Sequence, residues 1–304
     1  MGRPRLLLDC DPGIDDAFAI MCALTYADLA AITTVSGNVP VANTTRNARW
    51  LVELAGETGV PVHQGAPAPL QVPPAFAQDI HGPSGLGEFQ TPESSIPVHP
   101  VSAVEAITDH CASGDGTIVA VGPLTNIAEA LLADPTLAER IERLHWMGGS
   151  AGAGNTTPYA EYNAWADPHA VDVVLHSGCP LSMYGLDLTY QVRLNHVDID
   201  ELRTADTPTS SHLGEFLAFY RSTASSPELG QPIHDATALL GATHPDLFTG
   251  AQSRIVIETV SADTRGRTTV SYATETKHHH VSSVDADAAR LLIMHAAINP
   301  GLPL

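Results

Sequence analysis

Four aspartates lie within eight residues near the N-terminus: Asp9, Asp11, Asp15 and Asp16. Carboxylates this close repel one another unless a positive charge lies among them. A helix N-terminus supplies only about half a positive charge, so a divalent cation is the better partner. Oxygen ligands alone favour Ca²⁺ or Mg²⁺. The spacing therefore indicates a metal site in which a carboxylate is also available for acid–base chemistry.

The Asp-x-Asp pair permits a second interpretation, a Mg²⁺-dependent phosphatase in which Asp9 is the nucleophile and Asp11 lies beside the metal. That chemistry also needs cations to hold the phosphate charge. Lys277 is the single lysine of the chain, and it lies in the late Lys277-His280 stretch. The scarcity of lysine weakens the phosphatase interpretation, although arginine is a possible substitute.

Amide and carboxylate side chains recur later in the chain. Asn38 follows Ser36-Gly37, and Asn155, Glu161 and Asn163 follow Met147-Gly148-Gly149. Side chains of these types recognise neutral hydroxyl groups by hydrogen bonding. A site rich in Asp, Asn and Glu and poor in cations suits a sugar better than a phosphate.

The elements that must position these residues alternate along the chain. The apolar run Leu6–Leu8 predicts a buried strand, the pair Pro12-Gly13 predicts a turn, and a helix follows from Ala17. Further strands are predicted at 29–35, 117–121, 141–147 and 181–184, and further helices at 42–55, 124–132, 169–176 and 286–297. This alternation predicts an α/β fold with an open, mostly parallel central sheet and helices on both faces. Ligands of such sheets bind beyond the carboxyl ends of the strands.

Two late features lie outside this alternation. The runs 254–260 and 268–272 predict a hairpin or a small extra sheet. The triplet His278–His280 indicates an exposed strand or turn rather than a metal site.

The chain length of 304 residues is compatible with a single domain over 1–304. Two stretches without periodicity, 66–97 and 222–233, are rich in Pro, Gly and small polar residues, and we expect them to be lids. The first contains His81 beside glycines, and the second precedes His234-Asp235.

Composition excludes several classes of function. The chain is 44% hydrophobic and 16% charged, which is typical of a globular protein, and its formal charge is −20. Such a charge disfavours a nucleic-acid partner. No apolar run reaches the roughly 18 residues that a membrane span needs. The four cysteines are widely spaced without a CxxC motif, which is typical of reduced thiols in a cytoplasmic protein.

Six motifs in order resemble the inosine–uridine-preferring nucleoside hydrolase family: 9–17 (DCDPGIDDA), 122–126 (GPLTN), 147–149 (MGG), 161–163 (EYN), 185–189 (GLDLT) and 234–235 (HD). The resemblance runs from Asp9 to at least Ala236. It implies a Rossmann-like α/β core, one Ca²⁺ per subunit, cleavage of the N-glycosidic bond of ribonucleosides, and a homodimer or homotetramer.

The resemblance also implies roles for individual residues. The calcium ligands are expected to be the carboxylates of Asp11, Asp16 and Asp235 and the main-chain carbonyl of Val121. The ribose 2′- and 3′-hydroxyls are expected to bind Asp15, Asn38 and Asn163. The 5′-hydroxyl is expected to bind Asn155 and Glu161. Tyr162 either stacks near the ribose or base or packs in the interior, and Asp9 orients its neighbours.

The expected mechanism starts with a calcium-bound water that loses its proton to Asp11 and attacks C1′. The ribosyl ring becomes cationic as the base leaves, and the acidic residues stabilise it. His234 is the candidate acid for the leaving base, with His81 as the second candidate. A nucleoside- or ribose-binding protein without catalysis is the alternative from another functional class.

Overall fold

The computed structural model describes residues 2–114, 116–224 and 226–302. Its strands are β1 Arg5–Cys10, β2 Asp28–Thr34, β3 Val62–Gln64, β4 Thr117–Ala120, β5 Arg143–Met147, β6 Leu181–Tyr184, β7 Arg193–Leu194, β8 Gln231–Pro232, β9 Phe248–Ile257, β10 Thr268–Tyr272 and β11 His279–Val284. Its helices are α1 Ile14–Tyr26, α2 Val41–Leu54, α3 Gln78–His81, α4 Ala103–Ala112, α5 Thr125–Ala133, α6 Leu137–Arg140, α7 Tyr162–Ala166, α8 Pro168–Ser177, α9 Leu186–Thr189, α10 His196–Thr204, α11 Pro208–Thr223, α12 His234–Thr243 and α13 Ala286–Ile298. Short 3₁₀ turns occupy Pro227–Leu229 and Pro245–Leu247.

A nine-stranded sheet forms the centre of the structure, in the order β10-β9-β11-β6-β5-β4-β1-β2-β3. The strands from β11 to β3 pair in parallel with their neighbours, whereas β9 runs antiparallel to both β11 and β10. The predicted α/β class with a mostly parallel sheet is therefore confirmed.

The C-terminal strands differ from the sequence-based prediction in one respect. β9 and β10 form the expected hairpin, but the hairpin is no separate sheet, because β11 pairs with β9 on one side and β6 on the other. The expectation that His278–His280 is exposed is wrong for the same reason. His279 and His280 begin this interior strand, and His278 is buried.

Apolar side chains alternate between the two faces of the sheet. Leu6 and Leu8 of β1 face one hydrophobic cluster, which includes α1, α12 and α13, whereas Leu7 faces a second cluster with α5 and α8. Helix α1 is buried along its whole length. The turn that precedes α1 is therefore anchored on the sheet and on a buried helix.

The two expected lids have different structures. Between β3 and α4, the segment 66–97 contains only the short helix α3 among its regular elements. In the segment 222–233, Ser222 and Thr223 belong to α11, and β8 pairs with β7 in a separate two-stranded sheet. Position 225 lies outside the described residues. Across the described chain, no helix combines the length and the hydropathy that crossing a bilayer requires.

Candidate active site

A cavity of about 820 Å³ opens at the carboxyl ends of β1, β2, β4 and β5. This is the edge at which open α/β sheets bind ligands. Ten of the twelve predicted site residues line it: Asp15, Asn38, His81, Val121, Asn155, Glu161, Tyr162, Asn163, His234 and Asp235. Asp11 and Asp16 lie immediately behind the wall and are fully or almost fully buried.

The acidic turn joins the end of β1 to the start of α1. The Asp16 carboxylate accepts hydrogen bonds from the backbone N–H groups of Asp11 (3.1 Å) and Gly13 (2.9 Å), and so closes the first turn of α1. Gly13 has no room for a side chain, because a Cβ there would lie 2.6 Å from Nδ1 of His81. The sequence of this turn therefore fixes the carboxylates and brings His81 against them.

Three carboxylates converge at one end of the cavity. Oxygen atoms of Asp15, Asp16 and Asp235 all lie within 4.8 Å of one another, and all three residues are buried. Burial raises the pKa of Asp15 to about 8, with a further contribution from the Asp16 charge, and it raises the pKa of Asp16 to about 6. Burial and the charges of Asp15 and Asp16 hold the pKa of Asp235 well above its ordinary value. Three buried carboxylates this close repel one another unless a cation or bound protons neutralise their charge.

Asp11 is held by the loop that follows β2. The Asn38 backbone N–H donates to Asp11 Oδ2 at 2.6 Å, and the Asn38 side-chain amide donates to the Asp11 carbonyl and to Asp16 Oδ2. Gly37 and Gly122 allow this approach, since a Cβ at either would lie within 2.6 Å of an Asp11 carboxylate oxygen. Burial, followed by the Asp16 charge, raises the pKa of Asp11 well above its ordinary value.

Asp9 supports the turn from below and does not reach the cavity. Its Oδ1 accepts hydrogen bonds from Thr33 Oγ1 (2.6 Å) and Asn126 Nδ2 (2.7 Å), and the residue has no exposed surface. Burial raises the pKa of Asp9 to about 7. A carboxylate in this position cannot meet a phosphate ester, which argues against the phosphatase interpretation.

The opposite wall comes from the segment after β5. Glu161 caps α7 and accepts hydrogen bonds from the backbone N–H groups of Gly149, Asn163 and Ala164. Burial raises its pKa to about 7. The Asn163 amide donates to the carbonyl of Val121 at 2.8 Å and to that of Met147 at 3.1 Å. Asn163 thus ties the ends of β4 and β5 to the cavity wall.

Asn155 and Tyr162 connect this wall to the first expected lid. Asn155 Oδ1 accepts a hydrogen bond from the Tyr162 backbone N–H at 3.0 Å. The Tyr162 hydroxyl donates to the carbonyls of Gly37 (2.7 Å) and Ala75 (3.0 Å), and so joins the segment after β2 to the segment 66–97.

Two histidines lie between the walls. The Ile14 backbone N–H donates to His81 Nδ1 at 3.1 Å, so the neutral ring carries its proton on Nε2. The His81 ring also stacks on Tyr220, with centroids 5.6 Å apart. His234 Nδ1 lies 2.7 Å from Thr189 Oγ1, and the His234 and Tyr190 rings form a T-shaped contact with centroids 5.3 Å apart. Burial lowers the pKa of His81 to about 4 and that of His234 to about 3, so both rings are neutral near pH 7.

The family profile described as inosine-uridine preferring nucleoside hydrolase matches residues 6–291, nearly the whole chain. The chain belongs to this family. Among curated proteins, the pyrimidine-specific ribonucleoside hydrolase RihA of Shewanella sp. (strain MR-7) is 38% identical over 277 residues, which is 89% of this chain and 87% of that protein. The family membership identifies the chain as an enzyme, an N-glycosidase.

Solved structures of nucleoside hydrolases have the same fold. The purine-preferring ribonucleoside hydrolase from Gardnerella vaginalis superposes with a TM-score of 0.92 at 30% identity, and covers 98% of this chain and 99% of its own. A plant nucleoside hydrolase superposes with the same TM-score at 28% identity, and covers 98% of this chain and 100% of its own.

This nucleoside hydrolase has cavity residues that the sequence-based prediction missed: Trp165, Tyr190, Arg193, Tyr220 and Gln231. None has a distinctive local motif, and Tyr220 and Gln231 lie in or beside an expected lid. Thr189, the partner of His234, lies in a motif that resembles the family but had no assigned role. Its function as a partner becomes visible only when α9 and α12 are packed together.

Proposed function

We propose that this enzyme hydrolyses ribonucleosides to ribose and free base with Ca²⁺ bound at the acidic turn. The observation that carries the proposal is one cavity whose acidic end is lined by Asp15 and Asp235, with Asp16 beside them behind the wall, and whose other walls present amides, Glu161 and two neutral histidines. Acidic groups suit a ribosyl ring that becomes cationic, and amides suit its hydroxyls.

The donor set fits a hard cation. The group consists of oxygen donors only, and burial has raised the pKa of its carboxyls, so a dication relieves an existing electrostatic cost. Asp11, Asp16 and Asp235, with the Val121 carbonyl, would hold Ca²⁺, and the ion would supply positive charge that acidifies water and orients the ribose hydroxyls. Asp15 lies close to Asp16 and Asp235, so it would lie between the bound metal and the sugar whose hydroxyls it binds.

The residues of the chain then divide the reaction between them. Asp11 accepts the proton of the water that attacks C1′, and Asn38 keeps the Asp11 carboxylate oriented through the 2.6 Å hydrogen bond. Asp15, Asn38 and Asn163 bind the 2′- and 3′-hydroxyls, and Asn155 and Glu161 bind the 5′-hydroxyl. His234 donates a proton or an N–H hydrogen bond to the leaving base, and His81 is the second donor.

We propose pyrimidine ribonucleosides as the preferred substrates. The support is the 38% identity to a relative named pyrimidine-specific over most of both chains, against 30% identity to a structure named purine-preferring.

Release of reducing sugar from uridine, cytidine, inosine and adenosine, measured with Ca²⁺ and with EGTA, tests the proposal. We expect calcium-dependent release, fastest for uridine or cytidine. Calorimetric binding of nucleosides without release would favour the binding-protein alternative, and faster purine release would overturn the base preference alone. Asp11→Ala should abolish release while Asp28→Ala, an exposed aspartate on β2, should not.

A further inference from the structure

Arg193 is the one arginine or lysine among the described residues that line the cavity. The other formally charged lining residues are the acids Asp15, Asp79, Glu161 and Asp235. The chain has a formal charge of −20 and the other charged residues of the cavity are acids, so the position of one arginine among them needs a physical explanation.

The local structure fixes Arg193 at the end of the cavity near His234. Its Nε donates to the Tyr190 carbonyl at 3.0 Å, and its Nη1 donates to the Gly230 carbonyl at 2.9 Å. Its guanidinium carbon lies 5.2 Å from the centre of the Tyr190 ring, and that ring forms a T-shaped contact with His234. Arg193 also pairs across β7 and β8 with Pro232, two residues before His234.

None of the partners of Arg193 carries a formal negative charge. Both hydrogen-bond acceptors are neutral carbonyls, and the described part of the chain contains no salt bridge to Arg193. Its two carbonyl bonds limit the directions that the guanidinium can adopt, so the charge is oriented before any substrate binds. Preorganised charges of this kind act without a reorganisation cost at the moment of reaction.

The cavity lining therefore includes charges of opposite sign. Asp15 and Asp235 belong to the carboxylate group, whereas Arg193 contacts Tyr190, whose ring contacts His234. In the proposed reaction, the electron pair of the C1′–N bond leaves with the base nitrogen, and the sugar becomes cationic. Water oxygen then bonds to C1′, one water proton passes to Asp11, and the base anion accepts a hydrogen bond from a histidine N–H and takes its proton from solvent water.

We propose that Arg193 is a further catalytic residue, whose positive charge stabilises the negative charge that develops on the departing base. The inference rests on the proposed function. It assigns the two halves of the separating charge to residues of opposite charge in one cavity lining, with the cation matched to the base and the carboxylates matched to the sugar.

The test compares Arg193→Met, which keeps an unbranched apolar side chain, with Arg193→Lys, which restores a charge. The matched control is Arg221→Met, because Arg221 also donates to a carbonyl of the same segment, that of Pro227, but does not line the cavity. Substrates are the best nucleoside of the wild-type protein and p-nitrophenyl riboside, whose phenolate leaves readily as an anion. Thermal denaturation confirms that each variant is folded.

We expect Arg193→Met to lower kcat on the nucleoside by about 10²-fold, the loss typical of removing one preorganised charge-stabilising group. The loss of kcat on p-nitrophenyl riboside should be smaller by about tenfold or more, because its leaving group needs less stabilisation. Arg193→Lys should recover much of the loss, and Arg221→Met should match wild type.

Equal losses of Arg193→Met on both substrates, or no recovery with lysine, would reassign Arg193 to holding Tyr190 and Gly230 in place. Wild-type rates in Arg193→Met would overturn the inference outright. A wild-type protein that releases no ribose from any nucleoside would instead overturn the proposed function, so the two failures are distinguishable.

Discussion

The two cavity histidines differ in how their Nδ1 atoms are held. A backbone N–H, that of Ile14, donates to His81 and fixes its tautomer, whereas the hydroxyl of Thr189 can donate to or accept from His234. The Thr189 hydroxyl can therefore follow a change in the protonation of His234, whereas His81 Nδ1 lies 3.9 Å from a carboxylate oxygen of Asp15. We propose His234 as the principal donor of a proton or an N–H hydrogen bond to the leaving base, with His81 as the second donor.

For His234, we expect His234→Ala to lower kcat on nucleosides by about 10²- to 10⁴-fold, the usual contribution of general acid catalysis. Hydrolysis of p-nitrophenyl riboside should be nearly unchanged, because its leaving group needs no proton. Steady-state rates on both substrates measure this, with His176→Ala, an exposed histidine of α8, as the control. Equal losses on both substrates would show that His234 has a packing role.

The raised pKa of Glu161 predicts that kcat/KM depends on pH. Its pKa is raised to about 7 by burial, so it is protonated below that pH and anionic above it. Because the anion is the better acceptor for the ribose 5′-hydroxyl, kcat/KM for uridine should rise as pH increases through about 7. The profile for 5′-deoxyuridine should lack this rise. A rise of equal size for both substrates would assign the titration to another group.

At the scale of elements, the C-terminal hairpin supports the wall that contains Asn155 and Glu161. The Thr268 hydroxyl accepts a hydrogen bond from the Ser150 backbone N–H at 2.8 Å and donates to the Ser150 carbonyl at 2.7 Å. At the next residue, the Ala151 backbone N–H donates a hydrogen bond to the Asp187 carboxylate. The other oxygen of that carboxylate lies 2.8 Å from Nε2 of His280 in β11. The strand β11 and the hairpin thus position a segment more than a hundred residues earlier in the chain.

Thr268→Val should loosen this wall. Valine has nearly the same shape but leaves two buried backbone groups of Ser150 without partners, and each costs about 1–3 kcal/mol. We expect KM for uridine to rise about tenfold, since about 1.4 kcal/mol corresponds to a factor of ten, and KM for 5′-deoxyuridine to change little. Thr269→Val, the exposed neighbour on the same strand, is the matched control. A parallel change with both substrates would indicate a general loss of structure.

The sequence predicts the local elements of this fold better than their long-range pairing. The apolar run of β1 and the Pro12-Gly13 turn are local signals, and the structure confirms them. The interior position of β11 depends on pairing with β6, which lies about a hundred residues away, so the His278–His280 pattern resembled a surface. Helix α11 was not predicted, although Leu213, Phe216, Leu217 and Tyr220 have helical spacing.

The candidate site shows the same division between motif and packing. Six of the ten predicted residues that line the cavity lie in the family motifs, because motif residues follow strand ends that the sheet brings together: Asp15, Glu161, Tyr162, Asn163, His234 and Asp235. Arg193 and Tyr190 escaped prediction because their position depends on the β7–β8 pairing and on ring contacts across α12. No spacing in the sequence encodes those contacts.

At the scale of the whole molecule, the buried carboxylates link stability to pH and to metal. The pKa of Asp15 is raised to about 8 and that of Asp16 to about 6, from an ordinary value of 3.8. In metal-free protein, the folded state therefore binds more protons than the unfolded state between these limits. Stability should fall as pH rises through this window, and a bound cation should remove the fall.

We accordingly expect the difference in Tm between samples with Ca²⁺ and with EGTA to grow as pH is raised from about 5 to 8. At a calcium concentration about 100 times its Kd, the gain is about 2.7 kcal/mol, which corresponds to about 5 °C in a chain of this size. Differential scanning fluorimetry at several pH values measures it. Asp235→Asn should reduce the calcium effect, and a Tm difference independent of pH would contradict the assignment.

The interior position of β11 also has a consequence for the order of folding. β11 lies near the end of the chain but fills the gap between β6 and β9, so a nascent chain exposes an unpaired edge of β6 until residue 284 has been synthesised. Exposed edges of apolar strands promote aggregation. Truncation before β11 should therefore yield an insoluble product, even though every carboxylate of the acidic turn would still be present.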